Sequence, residues 1–165
     1  MKTLLVLRHA KSSWKDPAVT DHDRPLNSRG KRDAPRIGKI IAAEEVQPEI
    51  ILSSTAKRAR RTAKAISGAL GLSGKEVVLD SRLYLAEPAE IIDVVRNADS
   101  NAHCILVVGH NPGLEVLVIR LTGHAEPLPT AAVAAVSLPI NSWRSLELSE
   151  MGQLQQVWRP RDLDP

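Results

Sequence analysis

The chain has 165 residues, a length that suits one ordinary domain with a full hydrophobic core, and we expect a single domain over residues 1–165. Hydrophobic residues make up 43% of it and charged residues 25%, which excludes the disordered and fibrous classes. Aromatic residues are only 2%, which argues against a protein that stacks single-stranded bases, while the net charge of +3 suits an anionic ligand.

The cysteine content and the apolar runs bear on the cellular compartment. Cys104 is the single cysteine, so an intramolecular disulfide and a cysteine-based zinc site are both excluded. The apolar stretch over residues 1–7 is too short for the core of a signal peptide, and no run approaches the roughly 20 apolar residues of a membrane span. We therefore expect a cytoplasmic protein with no membrane partner.

The first third of the chain predicts a buried strand, a long loop and a helix. Residues 3–7 are continuously apolar without alternation, which is typical of a strand buried on both faces. Residues 11–27 are polar and show no periodicity, and a loop of this length in a small domain is usually functional. Isoleucines at helical spacing predict a helix over residues 28–45.

The rest of the chain alternates short apolar runs with helical patterns. Strands are predicted at 49–53, 77–79, 103–109, 131–138 and 154–158, and helices at 57–70, 88–96 and 112–121. This alternation predicts an α/β fold, a three-layer α/β/α sandwich with a mostly parallel central sheet. The last two strands predict an antiparallel pair at one edge, and residues 160–165 are expected to fray.

Charged side chains follow the predicted strands at the points where these strands end. Arg8 and His9 follow the first strand, His110 and Asn111 follow the strand at 103–109, and Arg58 lies near the start of the helix after 49–53. Ligands of parallel sheets bind beyond the carboxyl ends of the strands, so these side chains should converge. Helix N-termini at the same edge favour an anion. The sequence therefore predicts a phosphate site.

Four short segments carry motifs that occur together in one family. They are Leu4-Leu5-Val6-Leu7-Arg8-His9-Ala10, then Arg24-Pro25-Leu26 with Arg29-Gly30, then Arg58-Ala59 with Thr62-Ala63, and last Val108-Gly109-His110-Asn111-Pro112-Gly113. In order and spacing this set resembles the signatures of the histidine phosphatase superfamily, which has the phosphoglycerate mutase-like fold. Within that superfamily it resembles the small SixA-type phosphohistidine phosphatases. Ala10 stands where the family usually has glycine.

The resemblance implies a role for each matched residue. His9 would be the nucleophile, and Arg8, Arg58 and His110 would hold the phosphoryl oxygens. Further substrate-binding residues would be Arg24, Asp21 and Asn111. Neutral imidazole is a good nucleophile near pH 7, and guanidinium forks with an imidazolium donor stabilise the charge on a transferring phosphoryl group. No metal and no cofactor are expected.

The leaving group decides between two substrate classes. Family members that act on alkyl phosphates carry an acid after the third strand, and here Glu87 and Glu90 are the nearest carboxylates, a poor match. Imidazole leaves more readily than an alkoxide, which favours a phosphohistidine-bearing protein over a small phosphorylated substrate. A small-molecule phosphomonoesterase that uses Glu87 or Glu90 stays as the alternative. We expect a monomer that binds no nucleic acid.

Three other interpretations remain. The basic run 57–64 is consistent with a different function, a non-catalytic module that binds phosphate or nucleic acid. Helical spacing, however, points Arg58 away from the other cations, towards a pocket. A metal held by His9 and His110 is disfavoured because no carboxylate stands beside either histidine. Trp14 either closes over the substrate or anchors the long loop.

Overall fold

One six-stranded sheet lies between two layers of helices in the computed structural model, which describes residues 1–98 and 101–163. The strands are β1 (Lys2–Arg8), β2 (Ile50–Ser53), β3 (Val77–Leu79), β4 (Cys104–Gly109), β5 (Val133–Leu138) and β6 (Gln153–Trp158). The helices are α1 (Ser28–Ala42), α2 (Lys57–Ala69), α3 (Pro88–Arg96) and α4 (Gly113–Thr122). The predicted α/β sandwich is confirmed.

The strand order of the sheet is β3-β2-β4-β1-β5-β6. Strands β1 to β4 are parallel, and β5 runs antiparallel to both of its neighbours, β1 and β6. The predicted antiparallel pair is therefore present at one edge, and within it β5 is the strand that opposes the rest of the sheet. Arg8 pairs with Gly109, and Ser53 pairs with Val108, so β1, β2 and β4 end at the same level.

The apolar run of β1 is continuous because both faces of the strand are covered. Leu4 and Val6 pack into the core cluster that includes side chains of α3 and α4, and Leu5 and Leu7 pack into the cluster that includes α1 and α2. None of these four side chains is more than 3% exposed. Each such burial contributes roughly 1.5–3 kcal/mol. The arrangement fixes β1 in the middle of the sheet, with its carboxyl end open to the site.

The structure corrects three predictions. Strand β5 begins at Val133 and not at residue 131. Helix α1 ends at Ala42 and not at residue 45, because the Gln47 side chain donates to the Ala42 carbonyl at 2.6 Å and so closes the last turn. The chain is not frayed at 160–163, since Pro160 is buried in a short 3-10 helix and Leu163 packs against the core; residues 164–165 lie outside the described residues. Within the described ranges, no helix is long and apolar enough to cross a membrane.

The first turn of α1 lies directly against the loop that follows β1. The Asn27 side chain caps the helix by accepting from the Gly30 amide at 2.9 Å, and a Cβ on Gly30 would lie 2.1 Å from the Lys11 carbonyl oxygen. We expect Gly30→Ala to lower the free energy of unfolding by about 1–3 kcal/mol in urea denaturation, because backbone must shift to admit the methyl group.

Gly68, on α2, provides the matched control. An added Cβ there meets nothing within 4 Å. We expect Gly68→Ala to be neutral or to stabilise the protein by up to ~1 kcal/mol, because alanine is the better helix former. Equal effects of the two substitutions would contradict a tight contact between Gly30 and the loop.

Candidate active site

A pocket of about 240 Å³ lies where β1, β2 and β4 end and the 11–27 loop passes over them. Its lining contains all seven residues that the sequence predicted for the site, whose roles stay predictions. The lining consists of Arg8, His9, Lys11, Ser12, Trp14, Asp21, Arg24, Arg58, Leu85, His110, Asn111 and Thr130. A larger groove of about 660 Å³ near the start of β1 is lined by Glu44 and Glu45 and by no lysine, arginine or histidine among the described residues, so it does not suit phosphate.

His9 stands at the end of β1 with its ring fixed in one orientation. Its backbone amide donates to the Gly109 carbonyl at 3.1 Å, and the residue is 6% exposed. Ring atom Nδ1 lies 2.7 Å from the Ala10 carbonyl oxygen, which can only accept, so Nδ1 carries the ring proton. Atom Nε2 keeps its lone pair and accepts from Arg58 Nε at 3.3 Å.

Burial lowers the pKa of His9 to about 4, and the positive charges of Arg58, Arg8 and Arg24 add to this effect against the opposing hydrogen bond to Ala10. The ring is therefore neutral at pH 7. A neutral imidazole with an unprotonated Nε2 inside a cationic pocket has the protonation state of a nucleophile.

Arg58 projects from the first turn of α2 and connects the two histidines to the loop. It is 2% exposed and, like Ala59 and Thr62, belongs to the buried residues of α2. Its Nη1 donates to the Asp21 carbonyl oxygen at 2.6 Å, and Nη2 donates to Asp21 Oδ2 at 3.0 Å. Atom Nη2 also lies 3.4 Å from His110 Nδ1. The guanidinium group is thus held rigidly at the centre of the site.

His110 follows β4, and its ring centroid lies 5.1 Å from that of His9. Burial lowers its pKa to about 3, with further lowering by the neighbouring His9 and Arg58. The ring is therefore neutral in the resting protein, and the imidazolium expected during phosphoryl transfer stays a prediction. A guanidinium only donates, so Nδ1 accepts from Arg58, and Nε2 donates to Ser54 Oγ at 2.8 Å.

Asp21 holds Arg24 of the loop and Arg58 of α2 in place. Its Oδ1 accepts from Arg24 Nε at 3.1 Å, and its Oδ2 accepts from Arg58 and from the hydroxyl of Tyr84. Partial burial would raise the pKa of this carboxyl, but the hydrogen bonds from Tyr84 and Arg58 outweigh it and lower the pKa to about 2. Asp21 is ionised at pH 7 and orients its partners.

Trp14 covers the outer side of Arg24. The Arg24 guanidinium carbon lies 3.6 Å from the centre of the indole ring, and the Trp14 side chain stays 73% exposed. An apolar anchor for the loop would be buried, so that alternative from the sequence is wrong. The indole instead stacks on the arginine at the mouth of the pocket.

Two buried polar atoms at the site have no partner among the described residues, and they are Arg8 Nε and Asn111 Oδ1. Arg8 Nη1 donates to the Leu128 carbonyl at 3.2 Å, while Asn111 Nδ2 donates to that same carbonyl and to Glu115. A buried donor without an acceptor costs about 1–3 kcal/mol. Arg8 Nε therefore has unused capacity to bind an anion.

The candidate acids lie outside this pocket. Glu87 and Glu90 form a capping box at the start of α3, in which Glu90 Oε1 accepts from the Glu87 amide at 3.1 Å. This position does not support their use as an acid in the site, which the phosphomonoesterase alternative requires. Among the described residues that line the pocket, Asp21 is the only carboxylate.

In the same described part of the chain, no group of three or more His, Cys, Asp or Glu side chains could hold a metal ion.

Sequence reasoning missed three residues that support the site. Ser54 contacts His110, Tyr84 contacts Asp21, and Thr62 accepts from the Ala10 amide at 3.0 Å while it donates to the Arg58 carbonyl at 2.7 Å. Thr62 belongs to the third motif, so that motif could have indicated it. Ser54 and Tyr84 carried no comparable signal.

The lowered pKa values of His9 and His110 predict how ring protonation and the free energy of unfolding depend on pH. We expect their ring resonances in NMR spectra to titrate near pH 4 and pH 3, well below the ordinary 6.5. The unfolded chain takes up these protons near pH 6.5, so the free energy of unfolding should fall as the pH decreases from about 6.5 to about 3. Single substitutions His9→Gln and His110→Gln assign the two signals, and titration of either ring near pH 6.5 would contradict its burial among cations.

Comparison with known proteins gives consistent matches. The sequence profile of the histidine phosphatase superfamily (branch 1) matches residues 4–84. A protein of Mycobacterium tuberculosis strain H37Rv, itself uncharacterised, is 32% identical over 154 residues, which cover 86% of this chain and 92% of that protein.

Two solved structures are similar over nearly the whole chain. The protein assigned as phosphohistidine phosphatase SixA from Agrobacterium tumefaciens has a TM-score of 0.81 and 27% identity, covering 96% of this chain and 98% of that one. The corresponding structure from Nakamurella multipartita has a TM-score of 0.80 and 28% identity, covering 96% of each chain.

Proposed function

Because this chain belongs to the histidine phosphatase superfamily and is a phosphatase of the SixA type, we propose that it hydrolyses phosphohistidine on a protein through a covalent intermediate on His9. One observation carries the proposal. His9 Nε2 is an unprotonated nitrogen, held by the bond from Nδ1 to Ala10, in a pocket lined by four cationic side chains. These four are Arg8, Lys11, Arg24 and Arg58.

The reaction consists of two displacements at phosphorus. In the first, the lone pair of His9 Nε2 forms a bond to phosphorus while the bond from phosphorus to the substrate imidazole breaks, and the departing ring takes a proton from solvent. In the second, water attacks phosphorylated His9, the new P–N bond breaks, and inorganic phosphate leaves. His9 then returns to its neutral form, so no net charge accumulates on the protein.

The cations stabilise the three equatorial oxygens in both steps. Arg58 presents a rigid fork beside His9, and Arg8 Nε offers a donor with no other partner among the described residues. A phosphoryl group next to His110 raises the pKa of that ring, because the anion favours the protonated form. His110 then gains a proton on Nδ1, which gives up the hydrogen bond accepted from Arg58 and becomes a donor to the phosphoryl oxygen.

The absence of a suitable acid favours the P–N bond. Asp21 lines the pocket, but its pKa of about 2 leaves no proton to donate at pH 7, and Glu87 is engaged in the cap of α3. An alkoxide leaves slowly without such a proton, whereas imidazole is a good leaving group. The exposed side chains of Trp14 and Leu85 at the pocket mouth offer apolar surface to an entering side chain.

A comparison of leaving groups tests the proposal. We expect kcat/KM for a phosphohistidine peptide to exceed that for the phosphoserine peptide of the same sequence by roughly 10²–10⁴-fold, the contribution that a missing general acid removes from an alkoxide. Sugar phosphates should behave like phosphoserine. Both assays are run with a chelator so that no stray metal contributes. A higher kcat/KM for phosphoserine or for a sugar phosphate would contradict the proposal and identify a phosphoester as the substrate.

A further inference from the structure

A group of cations beside the pocket lacks ionic partners. The basic face is defined as Lys31, Lys57, Arg60, Arg61 and Lys64. Among the described residues, none of these five forms an ion pair, whereas arginines elsewhere do: Arg82 pairs with Asp80, and Arg159 pairs with Glu126. The four members on α2 follow helical spacing and lie along one side of the helix.

The basic face is electrostatically unfavourable for the helix that carries most of it. Cations three and four residues apart on a helix repel one another, and no acidic residue stands in the first turn of α2 to offset them. Lys57 and Arg60 also lie near the positive end of the helix dipole, and no side chain caps that end. An anionic partner would relieve the repulsion and the unfavourable dipole interaction together.

The basic face adjoins the catalytic pocket. Lys57 immediately precedes Arg58, and Pro25 immediately follows Arg24, so the chain passes directly from the pocket lining to this surface. The basic face contains a groove of about 560 Å³, which is lined by Pro25, Leu26, Lys31, Lys57, Arg61, Lys64 and Ala65. Its lining combines cations with small apolar side chains, the combination that an acidic protein surface with intervening apolar residues complements.

We infer that the basic face docks an acidic surface of the protein whose phosphohistidine enters the pocket. The inference rests on the proposed function and extends it, because it names the charge of the substrate around the phosphorylated residue. A protein fits better than a nucleic acid, since no aromatic ring among the described residues lines the groove on which a base could stack. Docking at the basic face would also raise the association rate by attracting the acidic partner before contact.

Two phosphohistidine peptides that differ only in flanking charge test the inference. One carries glutamates around the phosphohistidine, and the other carries glutamines. For the unaltered protein at low ionic strength we expect kcat/KM to be roughly tenfold or more higher for the acidic peptide. This preference should shrink in salt, because exposed charges are screened. The double variant Arg61→Gln/Lys64→Gln should lose most of the preference.

A matched variant removes the same net charge elsewhere. Arg120→Gln/Arg144→Gln alters two exposed cations on α4 and in the 143–145 turn, and it should retain the preference for the acidic peptide. Equal loss in both double variants would overturn the basic face as a specific site. Turnover of phosphoramidate by each variant reports whether its pocket is intact.

Binding measurements separate this inference from the proposed function. Fluorescence anisotropy of a labelled, unphosphorylated acidic peptide measures docking without chemistry, and we expect the Arg61→Gln/Lys64→Gln variant to bind it at least several-fold more weakly. If the protein bound this peptide but did not hydrolyse phosphohistidine, the proposed function would be overturned. The basic face would still be a binding site for an acidic protein. The same assay is run with a labelled DNA oligonucleotide. If the DNA bound more tightly than the peptide, in a salt-dependent way, and the same variant lost this binding, the basic face would be assigned to nucleic acid instead.

Discussion

Replacing His9 with alanine is expected to lower kcat for the phosphohistidine peptide by roughly 10⁴-fold or more, as loss of a covalent nucleophile does in other enzymes. The neighbouring groups are poor substitutes, because both ring nitrogens of His110 have hydrogen-bond partners and the Asp21 carboxylate is held by Arg24 and Arg58. The fold should persist, since the His9 side chain faces the pocket and contributes little to either core cluster. Steady-state phosphate release, with circular dichroism as a check of folding, measures both outcomes.

Covalent labelling of the protein tests the role of His9 by a second measurement. Radiolabelled phosphoramidate should leave an acid-labile, base-stable phosphate on the unaltered protein and none on His9→Ala. His103→Ala, at an exposed histidine at the start of β4, is the control and should retain both label and turnover. Substantial turnover by His9→Ala would be incompatible with the covalent mechanism.

Replacing Arg58 with alanine is expected to lower kcat/KM by about 10²–10³-fold, the loss that follows removal of one preorganised donor from a transition state. Arg58 donates from three nitrogen atoms, to His9, to Asp21 and towards His110, so its removal also frees the loop that Asp21 anchors. Arg58→Lys should recover little of the activity, because a single ammonium group cannot reproduce the planar fork.

The control for Arg58 is an arginine of equal charge away from the pocket. Arg120→Ala, on the exposed side of α4, should leave kcat/KM for phosphoramidate unchanged. Thermal denaturation of each variant distinguishes lost catalysis from lost structure. If Arg58→Ala kept kcat/KM within a few-fold of the unaltered protein while folded, Arg58 would have no part in stabilising the transition state.

The sequence predicted the architecture and the location of the site well because both depend on local patterns. Continuous apolar runs identify strands buried on both faces, and residues such as His9 and His110 that follow those runs must meet at one edge of a parallel sheet. The supporting contacts are different. Thr62 lies 52 positions from Ala10, and Tyr84 lies 63 positions from Asp21, so their hydrogen bonds depend on the tertiary fold.

The protonation states could not be predicted for a related reason. The imidazolium expected for His110 concerns phosphoryl transfer, and nothing in the sequence indicated the resting state. In the resting protein the ring is neutral, because burial and the adjacent His9 and Arg58 together disfavour a further positive charge. How deeply a side chain is buried, and which charges surround it, is set by the packed structure and not by residue type.

The hydroxyl of Thr62 joins the peptide after His9 to the helix turn that carries Arg58. Because one hydroxyl bonds both segments, we expect the loop after β1 to move together with α2, so that the distance between His9 Nε2 and Arg58 Nε varies less than the position of either group. The His9 ring and the Arg58 guanidinium group should therefore stay aligned during thermal fluctuations. A valine at this position would keep the shape but uncouple the two movements.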